Sequence, residues 1–343
     1  MKYLSQFNRR QILQYGALFL ASNLITACGG NKTKTTTADG QELDSVTFGT
    51  NWYAQAEHGG FYQAIAAKIY PEHGLDVKIE MGGAQVNGTQ LLMGNVIDFY
   101  MGSGADAIQA VAEGIPKVTV AAIFQKDPQV LIAHPDQGIK TIEDLAGKPI
   151  YVSASANTTY WPLLKLQHGL KESQKRPYNF SIGPFLADKN AVQQGYLSSE
   201  PYTINKEAGF EPVVLLLADY GFTPYSTTIE TRQELVDSNP DLVQRFVDAS
   251  IEGWKSYLEN PAPGNELIKA ANPEMTDELL EYGLSKIKEY GLITSGDAQT
   301  QGIGIMTDAR WQEFFDVMVE AGVYNADTDY QKAYTLQFVN QDS

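Results

Sequence analysis

The amino-acid sequence predicts an α/β protein of two lobes followed by a helical C-terminal tail. Three observations carry that prediction. Short apolar strands alternate with helical segments from Leu43 onward, the alternation comes in two runs, and beyond Ile229 the apolar spacing is helical. With 343 residues, 43% of them hydrophobic, the chain has enough apolar surface for two cores.

Residues 1–27 contain Lys2, Arg9 and Arg10 and no acid, then run mostly apolar from Ala17 to Ile25 and reach Cys28. This is the shape of a secretory signal peptide, and the apolar run is shorter than the ~20 residues that span a bilayer as a helix. Asn8-Arg9-Arg10-Gln11-Ile12-Leu13 reads either as a twin-arginine export signal or as the ordinary charged start of any signal. Ile25-Thr26-Ala27-Cys28 resembles a bacterial lipobox, which implies a lipidated Cys28 that anchors the protein to a membrane. Cys28 is the only cysteine, and the small polar residues after it offer no core for a thiol, so residues 28–42 read as a flexible tether. Without residues 1–27 the chain carries 22 basic against 41 acidic residues, a net charge of −19.

In the first α/β run, Val46 and Phe48 alternate toward Thr50, residues 60–70 have helical spacing, and Val77, Ile79 and Met81 alternate again. A short helix over 90–94, a strand over 97–101, a helix over 105–113 and a strand over 118–124 follow. The second run begins with a strand over 130–133, a capped helical turn over 141–145 ending at Gly147, a strand over 149–153 and a helix over 160–168. The apolar segment Phe180-Ser181-Ile182, a helix over 189–195 and an apolar strand over 213–218 complete it. After Thr227-Thr228-Ile229 the chain reads as helices over 241–258, 265–271, 276–290 and 308–321.

The formal net charge of −16 argues against nucleic acid as a partner, because such binders concentrate Lys and Arg. One cysteine excludes an intrachain disulfide and a thiolate zinc site. His58, His73, His134 and His168 fall on separate elements, so neither a metal site nor a cofactor is expected.

In open α/β sheets, ligands sit beyond the carboxyl ends of the strands, and here polar or glycine-rich segments follow the strands at 51–60, 82–87, 102–106 and 153–159. Asn51 and Trp52 sit at a strand end, where Trp52, Tyr53 and Tyr62 offer flat faces to an aromatic ring. Glu57 and His58 precede a helix, and with the amides of Gly59 and Gly60 they either face the cleft or cap the helix. Ser155, Asn157 and Thr158 supply more donors than one helix cap needs. Segments 51–62, 82–92, 101–109, 151–162 and 193–202 contain no Lys or Arg, which favours a neutral or amine-bearing heterocycle over a small oxyanion.

Several ordered segments resemble the substrate-binding proteins of ABC importers, in particular the NMT1/THI5-like, thiamine-pyrimidine-type branch. They are residues 50–62 (Thr-Asn-Trp-Tyr-Ala-Gln-Ala-Glu-His-Gly-Gly-Phe-Tyr), residues 70–77 (Tyr-Pro-Glu-His-Gly-Leu-Asp-Val), Gly82-Gly83 with Asn87, and Asp98-Phe99 with Gly102. Residues 144–148 (Asp-Leu-Ala-Gly-Lys) and Gln194-Gly195-Tyr196 leading to Glu200-Pro201 continue the series. The resemblance implies a periplasmic-binding-protein type II fold, with lobe one at about 43–130 plus the chain's return and tail at 226–343, and lobe two at about 131–225. The crossings would fall near 125–128 and 225–228, and the lobes would close on the ligand by a hinge. It further implies an acidic cleft residue at Glu200 and contacts from Gly83, Asn87, Gly102 and Tyr196. The partners implied are a small-molecule ligand and the permease and ATPase of an ABC importer, with the binding protein itself a monomer and no enzyme.

The alternatives are a binding protein for sulfonate, nitrate or another small anion, a sensory or structural lipoprotein of the same fold, and an NMT1/THI5-type thiamine pyrimidine synthase. Synthases of that family resemble one another in a cysteine-rich motif that this sequence lacks.

Overall fold

The computed structural model describes residues 34–36 and 40–339. The signal segment and Cys28 lie outside the described residues. Strands β1 (Lys34–Thr36), β2 (Glu42–Gly49), β3 (Leu75–Glu80), β4 (Phe99–Ser103) and β5 (Lys117–Phe124) belong to one sheet. A second sheet is built from β6 (Gln129–Ala133), β7 (Ile150–Val152), β8 (Lys175–Pro177), β9 (Val192–Tyr196) and β10 (Val213–Leu216) in the order β10-β6-β9-β7-β8. The chain then returns to the first sheet, where β11 (Ser226–Arg232) lies between β4 and β5 and runs antiparallel to both.

Part of the stretch read as a tether is a strand: Lys34–Thr36 pairs with Glu42–Asp44, and Lys34 meets Glu42 at 2.8 Å. The helix read over 60–70 is two, Gly59–Ala66 and Ile69–Glu72, because Lys68 takes a left-handed φ of 62° that breaks the spiral. The helix read over 189–195 is the strand β9, paired with β6 and β7. Its two glutamines suggest an exposed helix, but both are buried and the pairing partners override propensity. Phe180-Ser181-Ile182 forms no strand; the edge strand is β8, whose Lys-Arg-Pro sequence suits an edge that should not recruit another chain.

Glycines set the packing of the first core. The helix Pro240–Glu259 turns Phe246, Val247, Ser250, Trp254 and Tyr257 inward at helical spacing against the helix Gly59–Ala66. A Cβ on Gly60 would lie 2.2 Å from the Trp254 ring, and one on Gly59 2.1 Å from Tyr257. These glycines therefore serve helix-to-helix approach rather than leaving amides free for the cleft.

Inside the first sheet, Lys117 of β5 and Glu230 of β11 form a buried ion pair at 2.6 Å. Burial raises the Glu230 carboxyl above its ordinary value despite the nearby ammonium. The free edge of β5 is covered from the C-terminal region, where Gly304 O accepts from Ala122 N at 3.0 Å and Thr335 N donates to Thr119 O at 2.9 Å. The two connections between the sheets, 125–128 and 217–225, are tied together by Arg310 of the helix Asp308–Glu320. Its guanidinium donates to the carbonyls of Gln125 and Thr223 and lies 4.5 Å over the Tyr225 ring.

Gly60→Ala should be destabilising by roughly 1–3 kcal/mol, because the new methyl overlaps Trp254 in a packed core. Thermal unfolding monitored by circular dichroism would show a midpoint several degrees lower; an unchanged midpoint would contradict this packing.

Candidate functional site: a cleft between the two sheets

A cleft of about 820 Å³ opens between the sheets at the carboxyl ends of β2, β3, β7, β8 and β9. From the first sheet come Asn51, Trp52 and Gln55 after β2 and Gly83, Ala84 and Val86 after β3. From the second come Gln129 of β6, the turn 152–157, residues 175–180, and residues 194–196 with Ser199 and Glu200.

The aromatic groups meet across this opening. Trp52 and Phe180 have ring centroids 4.9 Å apart at 38°, with Tyr53 edge-on to Trp52 at 5.4 Å and Tyr178 5.4 Å from Phe180. Phe180 is about half exposed and takes φ 57°, a conformation that is costly for a bulky side chain and is found mainly where function holds it. Gly83 lies close beneath Tyr53, whose ring would stand 2.9 Å from a Cβ at that position.

Of the residues predicted from sequence, Asn51, Trp52, Gly83, Ser155, Asn157, Tyr196 and Glu200 line the cleft. The others have different work. Glu57 is buried and accepts a short hydrogen bond from Ser198, joining the loop after β2 to the loop after β9. His58 is buried, takes the Gln55 amide proton on Nδ1 at 3.2 Å and faces Asn51 Oδ1 with Nε2 at 3.1 Å. Tyr62 packs inside the first core, and Asn87 caps the helix Gly88–Met93 by accepting from Gln90 N at 3.0 Å. A Cβ on Gly102 would strike the Glu230 carboxylate, so that glycine accommodates the buried ion pair. Thr158 bonds back to Ser155 O at 3.3 Å. Of the lining residues, Asn157 has both amide ends engaged, with Ala154 O and with Lys175.

Sequence reasoning missed Gln129, Gln194 and the segment 175–180. Gln129 lies one residue before the strand predicted at 130–133, Gln194 sat in the supposed helix, and β8 was not foreseen. Consequently the cleft is not free of cations. Lys175 is taken up by Glu172 and Asn157, whereas Arg176 donates Nη1 to the carbonyls of Ser173 at 2.9 Å and Lys175 at 2.7 Å and meets no carboxylate among the described residues. Glu200 accepts from its own helix entrance, from Tyr196 N at 2.8 Å and Ser199 Oγ at 2.5 Å, both on one oxygen. Among the described residues no cluster of His, Cys, Asp or Glu is arranged to hold a metal, and no helix is long and apolar enough to cross a membrane.

Burial dominates the electrostatics. It pushes Glu57 up to about 7, with the Ser198 hydroxyl pulling the other way, and Asp127, beside the first connection, up to about 6. It holds His58 down at about 3, so the imidazole is neutral.

Two sheets joined by two connections, with a ligand-sized cleft at the strand ends, define the type II periplasmic-binding-protein fold. The aliphatic sulphonate binding protein SsuA of Escherichia coli shares it with a TM-score of 0.63 at 15% identity, over 84% of this chain and 91% of that one. Residues 55–263 match the family described as NMT1/THI5 like, and the chain belongs to that family. It is 26% identical over 349 residues to the riboflavin-binding protein RibY of Chloroflexus aurantiacus, covering 96% of this chain and 97% of that protein. It is 24% identical over 286 residues to the formylaminopyrimidine-binding protein of Halalkalibacterium halodurans, covering 80% and 84%. A 4-amino-5-hydroxymethyl-2-methylpyrimidine phosphate synthase of Legionella pneumophila is 22% identical over 243 residues, covering 69% and 76%.

The buried carboxyl makes a pH prediction. Between about pH 4.5 and 7 the folded protein keeps a proton on Glu57 that the unfolded chain has released, so this group's contribution to stability is full below 4.5 and is lost as pH rises through 7. Glu57→Gln should remove that loss. The variant's thermal midpoint should gain on the wild type by several degrees between pH 5 and pH 8; parallel curves would refute the assignment.

Proposed function

We propose that this chain is the extracytoplasmic solute-binding protein of an ABC importer, tethered to the membrane by a lipid on Cys28, and that it binds a flat nitrogen heterocycle without transforming it. The observation that carries the reading is the Trp52–Phe180 pair, one ring supplied by each side of a ligand-sized cleft and one held there at positive φ. A planar ring seated against Trp52 gains contact from both sides as the sheets approach about the connections 125–128 and 217–225. The named ligands of two relatives, riboflavin and formylaminopyrimidine, are both nitrogen heterocycles, which supports the same class here. A thiamine-pyrimidine-like ring is a small ligand of that kind, and a cleft of about 820 Å³ has room for fused rings as well.

A synthase relative keeps an enzymatic reading in view. Against it stands the single cysteine, which leaves the thiol-rich motif of that chemistry without ligands. A small-anion ligand is the second reading, favoured by Arg176, whose guanidinium lines the cleft without a carboxylate partner.

Thermal-shift and calorimetric titration against pyrimidines, purines, flavins, sulfonates and nitrate separates these readings. Binding by heterocycles, weakened about tenfold or more in Trp52→Ala by loss of stacking and buried area, is the expected result. Stabilisation by sulfonates or nitrate alone would overturn the heterocycle class and point to Arg176.

A further inference from the structure

Three carboxamides of the cleft have an orientation set, directly or at one remove, by partners that cannot change role and, unlike Asn157, keep one amide end with no partner among the described residues. A backbone N–H only donates and a backbone carbonyl only accepts, so the end of an amide that faces either one is fixed. Gln194 accepts on one oxygen from Ser153 N at 2.5 Å and from the Tyr160 hydroxyl at 2.9 Å, which leaves its –NH2 without a partner among the described residues. Gln129 donates its –NH2 to Gly195 O at 2.9 Å and keeps its carbonyl oxygen. Asn51 is set at one remove: the Gln55 amide occupies His58 Nδ1, so the imidazole proton sits on Nε2 and is donated to Asn51 Oδ1, leaving the Asn51 –NH2. All three side chains line the cleft, Asn51 from the first sheet and both glutamines from adjacent strands of the second.

We propose that Asn51, Gln129 and Gln194 form a reader of fixed polarity, two –NH2 groups and one carbonyl, for the edge of a pyrimidine-2,4-dione ring, in which an N–H lies between two carbonyls. The proposal rests on the solute-binding reading above and narrows its ligand class. Two amide –NH2 groups present four hydrogens, and the two carbonyl oxygens of a dione offer four lone pairs; the Gln129 oxygen takes the ring N–H. An aminopyrimidine edge offers only one lone pair on each ring nitrogen. It would leave amide hydrogens unpaired where the bound ring displaces their water, which is the costly outcome. The free oxygen of Glu200 remains for a hydroxyl or amine on the ligand's substituent.

Riboflavin carries a dione edge, 3-methylriboflavin blocks its N–H, and 4-amino-5-hydroxymethyl-2-methylpyrimidine presents the amino edge. In calorimetry on the folded chain, riboflavin should bind, and methylation of the ring nitrogen or loss of the reader should weaken it about tenfold or more, since a site built to hydrogen-bond rejects analogues that cannot. Gln194→Glu keeps an oxygen for Ser153 and Tyr160 but replaces the donor by an acceptor, and should weaken riboflavin. Gln129→Met should erase the difference between riboflavin and its methylated form. The ligand arm needs no variant: equal affinity of the wild type for riboflavin and 3-methylriboflavin, or tighter binding of the aminopyrimidine, overturns the reader while leaving a heterocycle receptor standing. Binding of sulfonates with none of the three heterocycles overturns the solute class itself.

Discussion

A single guanidinium governs how the two sheets are held relative to each other. Arg310 reaches from a C-terminal helix to both connecting segments and stacks on Tyr225, whose hydroxyl donates to Asp297 at 3.1 Å and accepts from Thr307 N at 3.0 Å. Burial lowers the pKa of this arginine, yet a guanidinium stays charged in proteins, so the carbonyls of Gln125 and Thr223 satisfy a permanent cation. Any closure of the lobes must turn about connections that this clasp keeps side by side. The helices after β11 therefore support the connections as well as the first core; the word tail undersells them.

Around that frame the site divides its labour. Glu57 and His58 stand outside the cleft lining and act through neighbours, one by joining the two sides through Ser198 and the other by setting Asn51. The lining itself is mostly uncharged: aromatic faces, carboxamides and small turn residues, with Glu200 and Arg176 as the charged members that have capacity left.

The fold was legible in the sequence because its strongest signals are periodic. The βα alternation and the apolar stripe of the helix Pro240–Glu259 survive any context. What escaped were elements that depend on partners distant in sequence. β9 is a strand because β6 and β7 flank it, although its glutamines argue otherwise, and β8 is a polar edge whose only sign is position. The lining of the candidate site was legible where a residue type announces itself at a strand end, as with Asn51 and Trp52, and at Glu200 through the family resemblance. It was misread where a plausible residue has a quieter duty: Gly102 makes room for an ion pair, and Gly59 and Gly60 admit Tyr257 and Trp254. Gln129 and Gln194 were invisible because a polar residue inside a strand gains meaning only when the pairing shows which face it shares.

The place of β11 has a consequence for how the protein is made. The second sheet is complete once residue 216 has been synthesised, but the first has a gap one strand wide between β4 and β5 until β11 arrives, and β5 stays uncovered until Gly304 and Thr335 follow. During vectorial synthesis β4 and β5 are thus made before the whole second sheet yet wait for the neighbour they share, because those contacts close loops of more than a hundred residues. Until β11 has been made, a chain of this topology carries open strand edges at β4 and β5, the kind of surface that favours wrong pairings while a protein is incompletely folded.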